Sequence, residues 1–86
     1  MHITIEISMY PLEEDRYIAA IQWFIERIQH YDTIQRKTTA TCTQLTGDYD
    51  TLMHILQVEI KQAYQKWGQS VFVCKFIHGT LDLESV

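Results

Sequence analysis

Proline and glycine are scarce in this chain: one proline, Pro11, and three glycines, Gly47, Gly68 and Gly79. Glycines so far apart cannot build a glycine-rich phosphate loop. The two cysteines, Cys42 and Cys74, form no C-x-x-C pair and read as free thiols of a cytosolic protein. Basic charge is thin as well, with seven Lys+Arg against eleven Asp+Glu and a net charge of −4. Only Arg36-Lys37 are adjacent, so the clustered basic surface that a phosphate backbone demands is missing and nucleic acid is not expected as a partner. His2, His30, His54 and His78 lack H-x-x-H or H-E-x-x-H spacing, so neither a metal site nor a cofactor is expected. No apolar run approaches membrane-spanning length, and the first residues enter a strand pattern rather than a signal peptide. A cytoplasmic protein without membrane insertion is the expectation.

Within these limits the chain is well furnished. Eighty-six residues, 47% hydrophobic and 21% charged, suit one compact domain spanning 1–86. Ile3, Ile5, Ile7 and Met9 alternate with Thr4, Glu6, Ser8 and Tyr10, the period-2 pattern of a half-buried strand, which Pro11 then ends. From Leu12 to about Tyr31 the stripe Tyr17, Ile21, Phe24, Ile28 and Tyr31, widened by Ile18 and Ile25, predicts a helix. Glu13-Glu14-Asp15 fall at its start, where its dipole favours acids. Trp23 lies nearer the wet side, as an edge contact would. The threonine-dense run 33–46 predicts two strands, about 33–38 and 40–46, with a turn near Thr38-Thr39-Ala40. Asp48 is placed to cap a helix that runs to Trp67 and stops at Gly68. Its stripe is Leu52, Ile55, Leu56, Ile60, Ala63 and Trp67. A last strand, 70–78, is apolar on both parities.

Strand, helix, strand, strand, helix, strand in one small unit predicts a ferredoxin-like βαββαβ α+β sandwich. It has a four-stranded antiparallel sheet with both helices on one face and strands in the order four, one, three, two. That order separates Cys42 from Cys74 by an intervening strand and forbids a bond between them. The second sheet face has no helix to cover it. A homo-oligomer, dimer or tetramer, is therefore expected.

Catalytic equipment is sparse. The carboxylate pairs Glu13-Glu14 and Asp48/Asp50 sit at helix starts, where dipole and cap account for them. Glu6 is the nearest candidate for a catalytic carboxylate, and a cross-strand Lys75 would neutralise it. Binding without chemistry is the better-supplied activity. Ser8, Tyr10, Thr38, Thr41 and Thr43 gather hydroxyls around the central strands, with rings at Phe72 and Phe76. Hydroxyls both donate and accept, which suits a neutral heteroaromatic bearing an amine and ring nitrogens.

Ile7-Ser8-Met9-Tyr10-Pro11-Leu12, Thr38 and Thr43-Gln44-Leu45-Thr46-Gly47-Asp48 together resemble the YkoF-type thiamine-binding protein family. The likeness runs from Ile3 to about Ile77. It implies a ferredoxin-like fold and non-catalytic binding of thiamine or its hydroxymethylpyrimidine moiety, in thiamine uptake or salvage. Carried over by position, Ser8, Tyr10, Thr38 and Thr43 match the family's ligand-binding pattern. YkoF-type proteins can carry two such domains in tandem. With one domain, this chain would have to reach the paired arrangement as a homo-oligomer. Thr39 stands where a charged or amide side chain would hold an aminopyrimidine edge. The alternative from another class is a ferredoxin-like regulatory or oligomerisation module without this ligand.

Overall fold

A computed structural model describes residues 1–84. Its elements are β1 (His2–Pro11), α1 (Tyr17–Gln29), β2 (Gln35–Thr38), β3 (Thr43–Asp48), α2 (Tyr49–Trp67) and β4 (Ser70–His78). The strands form one antiparallel sheet in the order β2-β3-β1-β4. The fold is ferredoxin-like, as the element order predicts. Ile3, Ile5, Ile7 and Met9 of β1 are buried, as is Leu45, the direct partner of Ile5 across the β1–β3 ladder. Against them pack Ala20, Phe24 and Ile28 of α1 and Leu52, Ile55, Leu56 and Ala63 of α2. The alternation of β1 thus becomes one face of the core.

α1 starts later than its periodicity predicts. The Leu12 amide still donates to the Gln69 carbonyl at 3.0 Å, and Glu13 stays extended. The chain therefore enters a 3₁₀ turn, Glu14–Arg16, before the α-helix begins at Tyr17, and the helix has no acid in its first turn. Tyr17 and Ile18 of the expected stripe are exposed as a result. Trp23 makes the edge contact its position suggests: it is half-buried, edge-on to Trp67 at 6.4 Å, with the Arg27 guanidinium 5.7 Å from its ring centre. That stacking lets an indole sit beside a charged neighbour.

The hairpin turn also differs from expectation. It occupies Thr39–Cys42, where the Thr39 amide donates to the Cys42 carbonyl at 2.8 Å. The Thr39 hydroxyl accepts from the Cys42 amide at 3.3 Å, a side-chain turn in place of an Asn-Gly signal. Cys42 therefore belongs to the turn rather than to a strand, and both cysteines are free. Ile34, placed by sequence in the second strand, instead lies buried before it; a Cβ on Gly47 would meet its Cγ2 at 3.2 Å, so glycine there permits the approach.

α2 follows prediction closely. The Asp48 carboxylate accepts from the Thr51 amide at 3.1 Å, a bond that holds its pKa below the usual carboxylate value. Gly68, at φ 79°, closes the helix, its amide donating to the Tyr64 carbonyl.

The sheet face away from the helices is partly covered, by the chain that leaves β4. The Thr4 hydroxyl lies 2.9 Å from the Gly79 carbonyl and accepts from the Leu81 amide at 3.1 Å. Lys37 Nζ approaches Glu84 at 3.5 Å on the far side. Under this crossing Thr4 and Thr46 are buried, with their hydroxyls 3.1 Å apart. At the other end of the same face Tyr10, Val71 and Val73 stay exposed.

Candidate functional site

A cavity of about 140 Å³ opens between α1 and the β2–β3 turn. β1 supplies Ile7 and Met9 to its wall, α1 supplies Ile21, Phe24 and Ile25, and the segment Thr38–Thr43 closes the remaining side. The helical stripe that buries Ile28 further in runs out here. The turn stands away from α1, and side chains that would be core elsewhere line a space.

Thr38 and Thr43 are direct cross-strand partners, and their hydroxyl oxygens lie 3.2 Å apart. Thr43 also pairs with Ile7 across the β1–β3 ladder and shares its helix-facing side, where it is buried. Two hydroxyls hold two protons and four lone pairs; their mutual bond consumes one of each. One proton and three lone pairs are left for a guest. A ring nitrogen beside an exocyclic amine matches that remainder. No described residue lining the cavity carries a carboxylate, imidazole or amine, so the wall is neutral.

Ser8 and Tyr10 take other places. Ser8 lies between Ile7 and Met9 on the opposite parity, and its hydroxyl donates to the Thr41 carbonyl at 2.9 Å. It ties β1 to the turn at the cavity's edge. Tyr10 is 53% exposed on the face away from the helices and is not part of the lining. The rings expected to form an aromatic wall also separate. Phe72 packs on Phe24, with centroids 5.0 Å apart, and so stands behind the wall. Phe76 borders a different, apolar groove beneath α2. The aromatic surface of the cavity is Phe24 itself. Its helical spacing marked it for burial, and nothing in one sequence distinguishes a core ring from a cavity ring.

Glu6 meets Lys75 directly across the β1–β4 ladder, with 3.6 Å between Oε1 and Nζ. The candidate catalytic carboxylate is thus paired on the surface, away from the cavity.

A second polar cluster lies deeper. Glu59 is fully buried; it accepts from Arg27 Nε at 2.8 Å, Arg27 Nη2 at 3.1 Å and the Tyr31 hydroxyl at 2.5 Å. Burial by itself would raise the Glu59 pKa, but the hydrogen bonds from Arg27 and Tyr31 outweigh it and hold the carboxyl below its ordinary value. The same burial, reinforced by the bond to Glu59, pushes the Tyr31 phenol up. The helical pattern gave no hint of Glu59: an acid next to the apolar stripe reads as its wet border.

No family model matches the chain, and no curated protein matches it. Solved structures do. A structural-genomics protein from Streptococcus pneumoniae is 27% identical, with a TM-score of 0.84 over 94% of this chain and 90% of that one. A Thermotoga maritima protein provisionally assigned to thiamine biosynthesis or salvage is 18% identical, with a TM-score of 0.87 over 98% of this chain and 92% of that one. A Bacillus cereus domain of unknown function is 20% identical, with a TM-score of 0.76 over 92% of this chain and 77% of that one. The fold is shared. This chain covers 90% of the first and 92% of the second of those chains.

Proposed function

We propose that this protein binds thiamine, or its hydroxymethylpyrimidine moiety, without transforming it, and serves uptake or salvage of the vitamin in the cytoplasm. The observation that carries the reading is the neutral cavity with the Thr38–Thr43 hydroxyl pair on one side and the Phe24 ring on another. Its size sharpens the choice. A dry cavity of about 150 Å³ holds one benzene-sized ring, and this one measures about 140 Å³. One six-membered ring fits; a two-ring compound must leave its second ring at the mouth. The pyrimidine half, with its amine and ring nitrogens, complements the hydroxyls, and the cationic thiazolium half is the part better left in water. Likeness to the Thermotoga maritima protein supports the same direction. The described lining holds no carboxylate, imidazole or amine to serve as a general base beside its hydroxyls and the Cys42 thiol, which supports binding over catalysis.

The bound form is a homo-oligomer in this reading. Val71, Val73, Phe76 and Ile77 of β4 are each more than a third exposed, apolar side chains that a second copy would cover. The same observation favours the second reading, a ferredoxin-like regulatory or oligomerisation module. Calorimetry with thiamine, its pyrimidine half and its thiazole half separates the two. Binding of the first two but not the third is expected. Heat from none of them at millimolar ligand would leave the oligomerisation module.

A further inference from the structure

The two edges of the sheet are built differently. β2 is four residues long and reads Gln-Arg-Lys-Thr, short and charged as protected edges are. β4 has nine residues and no proline, and among the described residues it pairs with β1 alone. The chain leaving it turns inward, with the Gly79 amide donating to the His2 carbonyl, and no strand among the described residues pairs with the outer edge. Its one charge, Lys75, is engaged with Glu6 of its own sheet.

The order of residues along β4, Ser-Val-Phe-Val-Cys-Lys-Phe-Ile-His, is nearly the same read from either end about Cys74. Phe72 mirrors Phe76, Val71 mirrors Ile77, and Val73 mirrors Lys75. A two-fold axis beside Cys74 would set β4 antiparallel to β4 of a second copy. Phe72 would then face Phe76 of the partner subunit on the helix side, and Val71 would face Ile77 of the partner subunit on the other. Such aromatic and β-branched pairs are the ones that stabilise a sheet. Shifting the axis to residue 75 would oppose two lysines; shifting it to 73 would set Phe72 against a cysteine. The apolar groove beside this edge, bordered by Met53, Tyr64, Cys74 and Phe76, continues the exposed surface onto α2.

We infer that two copies of this chain join through β4 about a two-fold axis at Cys74, forming one continuous eight-stranded sheet. The inference rests on the homo-oligomer reading above and specifies its geometry. Directly opposed antiparallel residues have Cα atoms about 4.5–5.5 Å apart, within the span of a disulfide. In a Cys42→Ser background, diamide should therefore link Cys74 to Cys74 of the partner subunit: two thiols give up two protons and two electrons, and diamide is reduced to its hydrazine. A Cys42→Ser/Cys74→Ser control should stay unlinked.

Charge sign provides the second test. Val73 is exposed, so both Val73→Lys and Val73→Glu should fold, as circular dichroism would verify. Val73→Lys places two lysines opposite each other twice in the dimer and should weaken association about tenfold. Val73→Glu faces Lys75 of the partner subunit and should leave it intact or tighter. A wild-type monomer in light scattering would remove the oligomer reading and this inference together. An oligomer that forms no Cys74 link, or in which both substitutions act alike, would overturn the β4 pairing and leave the oligomer reading standing.

Discussion

Two polar clusters lie against α1, and they are built on opposite terms. At its C-terminal end, the Glu59 carboxylate is fully buried and receives three hydrogen bonds from Arg27 and Tyr31. One helical turn back, the Thr38–Thr43 pair borders a cavity and spends only one of its two protons internally. In the first cluster both oxygens of the buried carboxylate are bonded and charge is paired across the helices, so its role is to hold α1 to α2. The second is neutral and unsaturated, so it has bonding capacity left for a guest. Counting unspent donors and acceptors distinguishes a structural polar group from a binding one.

The sharpest way to break this comparison is at Arg27. Arg27→Met leaves the buried Glu59 charge with the Tyr31 phenol as its remaining partner. The expected loss is about 3 kcal/mol, the lower end for an orphaned buried charge, because Arg27 itself is half-exposed. Urea denaturation measures it, and affinity for the pyrimidine half should not change in the fraction that stays folded. A neutral effect on stability would show that the cluster does not hold the helices together.

Acid should attack the same cluster. The Glu59 pKa is lowered in the folded state, so its contribution is present above the unfolded carboxyl value of about 4.5 and is lost as pH falls through the folded value. Stability should decline below pH 4.5 more steeply in the wild type than in Glu59→Gln. Superimposable acid limbs would contradict the assignment.

The cavity side predicts the reverse. Thr43→Val keeps the shape and removes the hydroxyl, which should weaken binding of the pyrimidine half by about 1–3 kcal/mol, the cost of leaving a polar partner unpaired. Stability should change by less than binding does, since the lost hydroxyl bond on the folded side is a single one to Thr38. Equal affinity in wild type and variant would move the ligand away from this hydroxyl pair.

How much of this was legible before the structure follows from what each signal encodes. Period-2 alternation in β1 and the Asp48 and Gly68 caps of α2 are local, and they located those elements closely. The start of α1 was not local: a bond from Leu12 to Gln69, distant in sequence, holds the chain extended past Pro11. A turn near Thr38-Thr39-Ala40 was legible, but its extent to Cys42 was not, because Thr39 closes it with a hydroxyl and threonine density reads as strand. Site residues were legible as a set of hydroxyls but not as a place. Thr38 and Thr43 share a side because the register sets them opposite each other, while Ser8 and Tyr10 fall on the other parity of β1.

Ser8 gives the smallest effect and the finest discrimination. Its hydroxyl does not extend the Thr38–Thr43 pair; it donates to the Thr41 carbonyl and so holds the turn that closes the cavity. Ser8→Ala should therefore cost about 0.5–1.5 kcal/mol, the net value of one hydrogen bond, and the cost should appear first as looser turn residues. Amide exchange at Thr41 and Cys42 should quicken, while exchange in β1 itself stays slow. Affinity for the pyrimidine half should fall less than in Thr43→Val, because the variant alters the frame and not a contact. Tyr10→Ala, with its ring on the far face, should leave affinity unchanged. If Ser8→Ala instead matched Thr43→Val in affinity without altering exchange in the turn, Ser8 would be touching the ligand directly, and the turn would have to open on binding to release its hydroxyl.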